Sequence, residues 1–213
     1  MLAAIKNKKG HLIMLATDQA IRQRRSIKEF DAAHRFTAAE EATLFDLARQ
    51  TPSSFNIQHW RIVKVTDTAL RQQIRAAAWG QAQITDASLL LVLCADIEAW
   101  NKKPERYWQD SPEAGKILVP MIGQFYGQNP QAARDEALRS VGLIAQTIML
   151  AAKAMGYDSC PMIGFDPAKV GEIVRLPKDH LIGMIVTVGK AAKPARPKGG
   201  YLPLDQIVIE NGF

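Results

Sequence analysis

The chain has 213 residues, 47% of them apolar and 23% charged, with a net charge of +6. That is ordinary for one globular domain with its own core. Two cysteines, Cys94 and Cys160, exclude a disulfide framework, and His11, His34, His59 and His180 stand isolated, without metal-ligand spacing.

The positive charge permits anion binding. Apart from Lys6 to Lys9, Arg22 to Arg25 and Lys190 to Lys198, however, the basic residues are scattered, as on a solvated surface. The basic N-terminus lacks an apolar core and a cleavage site, and no uninterrupted apolar run reaches bilayer length. A cytoplasmic protein is expected.

Residues 1–13 read as an extension. From Met14 a helical pattern places Ala16, Ala20 and Ile21 on one face and should end near Arg24 or Arg25. Arg24-Arg25-Ser26-Ile27-Lys28-Glu29-Phe30 follows. Arg offers a fork of donors matched to phosphate, Ser a hydroxyl, and Lys a compact charge for a developing anion. A solvated helix end would use the same cations.

Thr37 and Glu40 form a capping box for a helix through Leu44, Leu47 and Ala48. The most informative stretch comes next, Thr51-Pro52-Ser53-Ser54-Phe55-Asn56-Ile57-Gln58-His59-Trp60. Its small hydroxyl residues and Pro form a turn. Asn56 and Gln58 each carry a donor and an acceptor, which a flat heterocycle with carbonyls and ring nitrogens needs. A capped turn leading into a strand is the plain alternative. A strand is expected at 61–65 and a helix at roughly 68–78. Residues 87–95, nearly all apolar, read as a central strand covered on both faces.

Segment 98–129 is less regular, with Trp100, Tyr107, Trp108, Phe125 and Tyr126 and a helical part near 113–126. Those aromatics suit either a binding site or a satellite cluster. Asn129-Pro130 starts a helix running to about Tyr157, with Gly156 as its stop. This helix is apolar on both sides and so should be buried all round. A homodimer interface would bury it, and so would the centre of a monomer. In Asp158 to Pro167, Pro and Gly bracket a tight connection, and Asp166-Pro167 caps a further helix. Residues 181–188 read as a buried strand, Lys190 to Lys198 as a basic linker, and Ile207–Ile209 as a short final strand able to pair with a sheet edge, the partner subunit's included.

Four of these stretches resemble, in order, motifs of the FMN-dependent nitroreductase family, and together they span nearly the whole chain. They are Arg24 to Phe30, Pro52 to Trp60, Pro161 to Asp166 and the basic run after Gly189. The resemblance implies an α+β, three-layer fold. A central, mainly antiparallel sheet is flanked by helices, with a long buried dimer-interface helix. One domain would cover 1–213, with a candidate lid at 98–129 and a C-terminal arm at 190–213.

It also implies FMN as cofactor and NADPH or NADH as diffusible donor. Hydride would pass by ping-pong exchange to a small electron-poor acceptor, such as a nitroaromatic or a quinone. Arg24, Arg25 and Ser26 would grip the phosphate and ribityl chain, with Lys28 at the flavin N1–C2 edge. Pro52, Ser53, Ser54, Asn56 and Gln58 would meet the cofactor too. The backbone of Pro161, Met162, Ile163 and Gly164 would face N5. Arg196 or Lys198 would close over the phosphate, although Gly199-Gly200 leaves their register, and that of Lys190, open.

His59 stands where the family often has Pro, and Ile163 where many members have Glu. Neither dinucleotide-binding nor Walker glycine fingerprints occur. No metal and no acid–base side chain is nominated. Dehalogenase, enoyl reductase and flavin-destroying chemistry remain alternatives on the same fold. A flavin-free basic protein binding nucleic acid or another anion is the alternative from another class, against which no nucleic-acid module is recognisable.

Overall fold

Four antiparallel strands form the centre of the molecule: β1 (Trp60–Lys64), β2 (Leu89–Asp96), β3 (Asp158–Met162) and β4 (His180–Gly189), in the spatial order β1-β2-β4-β3. The computed structural model describes residues 14–213, so the extension expected at 1–13 lies outside the described residues. Among the described residues, seven α-helices surround the sheet: α1 (Thr17–Gln23), α2 (Ala38–Ala48), α3 (Thr68–Ala77), α4 (Gln83–Asp86), α5 (Pro112–Tyr126), α6 (Pro130–Ala154) and α7 (Pro167–Ile173).

Every residue of β2 is buried, and the strand serves two cores. Successive side chains point to opposite faces. Leu89, Leu91, Leu93 and Ala95 join α2 and α6 on one side. Leu90, Val92 and Cys94 join Ile74 of α3, Val170 of α7 and the segment around Ile27 and Phe30 on the other. These are the three layers expected. Burial also pushes the Cys94 thiol up to about 11, so it stays protonated as a small apolar group.

The capping box forms: Glu40 N–H donates to Thr37 Oγ1 at 3.2 Å, and Thr37 N–H to Glu40 Oε2 at 2.9 Å. Such a cap contributes about 1 kcal/mol. Asn129 caps α6 by accepting from Ala132 N–H at 3.0 Å, with Pro130 at the first position. By length and apolarity α6 could cross a membrane, but half of its apolar window is buried inside the protein. Val141, Ile144, Ile148 and Ala152 face the sheet core, and Leu143 is left 43% exposed. Gly183 of β4 permits this close packing, since a Cβ there would lie 2.6 Å from Val141 Cγ1.

Two expectations need correcting. Asp158 to Met162, read as a connection between helices, is a strand. Pro161 hid it, because proline cannot donate to a ladder; it is tolerated here because β3 is a sheet edge. Ile207–Ile209, read as a strand, is exposed irregular chain after a short 3-10 turn at Leu204–Gln206. β-Branched composition favours a strand only where an edge is available to pair with, and this segment pairs with none among the described residues.

Candidate functional site

The first group of site residues collects around β3. After α1 the chain runs extended, and Ser26 pairs in parallel with Ser159 while Ile27 N–H donates to Ser159 O at 3.0 Å. Alternation buries Ile27 and leaves Ser26 and Lys28 exposed. Lys28 Nζ lies 3.5 Å from Cys160 Sγ. Arg24 Nη1 is buried with no hydrogen-bond partner among the described residues. Such an orphaned donor costs about 1–3 kcal/mol, more when charged, and points to a missing acceptor.

The C-terminal arm meets the same place. Arg25 donates to the carbonyl of Arg196. Lys198 Nζ stands 5.5 Å from the Tyr201 ring centroid. Tyr201 is exposed, and a hydrogen bond from Lys198 is the main reason its hydroxyl pKa is lowered, helped by the charges of Lys198, Arg25 and Arg24. Lys198 is therefore grouped with the two arginines. Arg196 lends its carbonyl, and the carbonyl of Lys190 accepts from Asp31 N–H at 2.8 Å.

Beyond β3, Ile163 is 81% exposed and Gly164 turns against Trp79. A Cβ at Gly164 would lie 2.9 Å from Trp79 Cζ3. Trp79 is itself 74% exposed, in left-handed backbone at φ 54°. Gln81 Nε2 donates to Gly164 O at 2.7 Å, and Gln83 Nε2 donates to Gln81 Oε1 at 3.1 Å. Burial raises the pKa of the Cys160 thiol, against the opposing pull of Lys28, Gln83 and Arg24.

The second group is the loop before β1. Phe55, Asn56 and Gln58 all adopt positive φ, near 49°, 55° and 52°. Such backbone costs about 1–3 kcal/mol per residue and persists only where surroundings enforce it. Here they do. Ser53 Oγ accepts from Gln58 N–H at 2.9 Å, and Tyr126 OH donates to Ser54 Oγ at 2.8 Å. Asn56 Nδ2 donates to Tyr107 O at 2.9 Å, and Gln58 Nε2 to Asn56 Oδ1 at 3.3 Å. Pro52 is exposed, while Thr51 is buried and bonds Thr147 of α6 at 2.8 Å. The amides read as partners for a heterocycle thus also fasten the loop to segment 98–129.

One chain does not bring the two groups together. Ser159 pairs with Val188, whereas Trp60 pairs with Ala95, which pairs with Leu181. From Leu181 to Val188 is roughly 20 Å along the strand, and β1 and β3 are opposite edges about 14 Å apart. The groups occupy opposite corners of the sheet.

Segment 98–129 contains 3-10 turns at Ala99–Asn101 and Pro104–Trp108 and then α5. Ile57, Ala99, Ile122, Tyr126 and Ala133 form a satellite core with Trp100 and Tyr107 against it. Phe125 is 55% exposed. A cavity of about 650 Å³ lies between the second turn and α5, lined by Trp108, Pro112, Val119 and Pro120 among others.

His180 is not isolated: Asp96, Asp179 and His180 offer ligand atoms within 4.8 Å of one another. Lys102 Nζ lies 2.7 Å from Asp96 and 2.6 Å from Asp179, and Arg61 lies 3.1 Å from Asp96. Side-chain cations thus supply the positive charge there. Hydrogen bonds from Lys102 and His180 hold the Asp179 carboxyl down to about 2.

Trp79, Gln81 and Gln83 went unread in the sequence. The one available signal was Gly80, which turns the chain back after α3 through positive φ.

The protein is thus of the three-layer α+β class, with a basic corner beside a glycine-containing turn at one edge of its sheet. The nitroreductase family model matches residues 21–190. Protein DrgA of Synechocystis sp. is 52% identical over 198 residues, covering 90% of this chain and 94% of its own. The oxygen-insensitive NADPH nitroreductase of Helicobacter pylori is 31% identical over 199 residues, covering 89% and 94%. A solved Exiguobacterium sibiricum structure in complex with FMN superposes with a TM-score of 0.82 at 26% identity, covering 91% and 96%. The chain belongs to the nitroreductase family and is an oxidoreductase. The flavin-free alternative is therefore not carried forward.

Proposed function

We propose that the chain is an FMN-dependent oxidoreductase. It takes hydride from NADPH or NADH and passes it, by ping-pong exchange at one site, to electron-poor acceptors such as nitroaromatics or quinones. The observation that carries this reading is Arg24 Nη1, buried and without a partner among the described residues, beside Arg25, Ser26 and Lys198. That donor set fits a phosphate: two guanidinium forks, a hydroxyl and an ammonium.

Bound FMN supplies the two-electron chemistry, and the protein supplies position and charge. Arg24, Arg25 and Ser26 bind the phosphate and ribityl chain, and Lys198 closes from the arm. Lys28 would supply a cation able to stabilise negative charge on the reduced ring. The backbone of Pro161, Met162, Ile163 and Gly164 would help to hold the ring. Trp79 and Ile163, both exposed, offer an apolar face to the ring of an aromatic acceptor. Cys160 stays protonated by burial and does not act as a nucleophile.

Pro52, Ser53, Ser54, Asn56 and Gln58 complete the site from a second copy, because one chain holds them at the opposite corner of the sheet. A homodimer follows, with the exposed apolar arm residues Leu202, Leu204, Ile207 and Val208 available to dock on the partner. Segment 98–129 then stands over the site as a lid. Its cavity has the size and apolar lining usual for small aromatic ligands.

The test is an absorption spectrum of the purified protein, repeated without oxygen after adding NADPH or NADH. Flavin bands that bleach are expected. No bands, even after incubation with FMN, would overturn the proposal.

A further inference from the structure

Between Lys28 and Gly164 runs a chain of side chains that none of the family-like motifs contains in full. Lys28 Nζ approaches Cys160 Sγ at 3.5 Å, and Gln83 lies close enough to help pull the thiol pKa down against burial. The thiol in turn donates to Pro161 O at 3.6 Å. Gln83 Nε2 donates to Gln81 Oε1 at 3.1 Å, and Gln81 Nε2 to Gly164 O at 2.7 Å. Both carbonyls bracketing the Pro161–Gly164 turn are therefore held by this chain of bonds.

The residues are placed for such a role. Gln83 is 3% exposed and Cys160 fully buried, so both are fixed by packing. A buried amide must find partners or cost about 1–3 kcal/mol, and here each amide finds one inside the relay. The raised Cys160 pKa keeps the proton on sulfur, so the thiol can donate to Pro161 while accepting from Lys28, with Gln83 beside it. A smaller apolar residue at position 160 would break the relay at its centre.

We infer that Gln81, Gln83 and Cys160 are positioning residues that couple the Lys28 ammonium to the Pro161–Gly164 backbone as one rigid unit. This rests on the FMN reading above. Two polar elements, one facing the pyrimidine edge and one facing N5, then keep a fixed spacing, and the relay favours the reduced, more negative cofactor over the oxidised one.

The test is the FMN midpoint potential, measured alongside FMN affinity, for the wild type and for Cys160→Ala, Cys160→Ser and Gln81→Ala. Gln81 is partly exposed, so Gln81→Ala keeps the test open should the buried Cys160→Ala fail to fold. Cys160→Ala and Gln81→Ala should each reduce the preference for reduced FMN about tenfold. For a two-electron couple that is a midpoint about 30 mV more negative. Cys160→Ser, which keeps a donor and acceptor, should restore most of the difference. Arg24→Ala should weaken both redox forms alike and leave the midpoint in place. FMN bound normally with an unmoved midpoint in Gln81→Ala overturns the relay alone. A wild type that takes up no FMN overturns the reading beneath it, and the relay with it.

Discussion

The Arg25 guanidinium donates a hydrogen bond to the main-chain carbonyl of Arg196, 171 residues further along the chain. That bond seats the C-terminal arm on the end of α1 and brings Lys198 to Arg24 and Arg25. Arg24→Ala should weaken FMN binding more than tenfold while shifting Tm by only a few degrees, because the guanidinium removed has an unpartnered nitrogen and sits in no ion pair among the described residues. Lys198→Ala should weaken it less, and the wild-type advantage over Lys198→Ala should shrink as salt is raised. Fluorescence titration of FMN at two salt concentrations checks both.

His59 is fully buried beside Ser140, its Nδ1 3.2 Å from Ser140 Oγ and its Nε2 without a partner among the described residues. Burial lowers its pKa to about 4. The unfolded chain takes up the proton near 6.5, so stability from neutral His59 is complete above that value. It is lost progressively as pH falls from about 6.5 to about 4, where the folded form also protonates. The loss amounts to about 3 kcal/mol. Urea midpoints of the wild type and His59→Gln should therefore converge as pH falls through that window; parallel curves would show that His59 does not titrate this way.

Trp79 holds a large indole in water, on strained backbone, against Gly164. Removing it disturbs little packing. Trp79→Ala should leave Tm and FMN content close to wild type and raise KM for an aromatic acceptor roughly tenfold, the loss of about 1.4 kcal/mol of stacking. Steady-state kinetics with a quinone would detect it, and an unchanged KM would remove Trp79 from the site.

At Gly183 α6 packs tightly against the sheet. Gly183→Ala should cost about 1–3 kcal/mol through overlap with Val141, and so lower Tm by roughly 2–4 °C for each kcal/mol. Adding Val141→Ala should recover part of the loss, giving a favourable coupling in a double-mutant cycle.

Much of the architecture was legible because β2, β4 and α6 carry strong apolar patterns and explicit caps. The Asn129-Pro130 start, the Thr37 capping box and the Asp166-Pro167 start all appear where the residues indicated. Strand β3 was illegible because its Pro161 argues locally against a strand, and only its place at the sheet edge permits it. Lys198 could not be chosen over Arg196 because Gly199-Gly200 frees the register, and only the fold shows it beside Tyr201. The Gln81–Gly164 bond joins residues 83 apart, and nothing local to either marks the pairing. The spread of the two candidate site groups over opposite corners depends on strand order, which no single motif encodes.

That last arrangement has a genetic consequence. If each site takes its Arg24 group from one copy and its Ser53 group from another, two inactive variants can rescue each other. In a mixed dimer of Arg24→Ala and Ser53→Ala chains, one site inherits both lesions and the other inherits neither. Co-expression would then restore flavin occupancy that neither parent has alone, up to one site in each mixed pair.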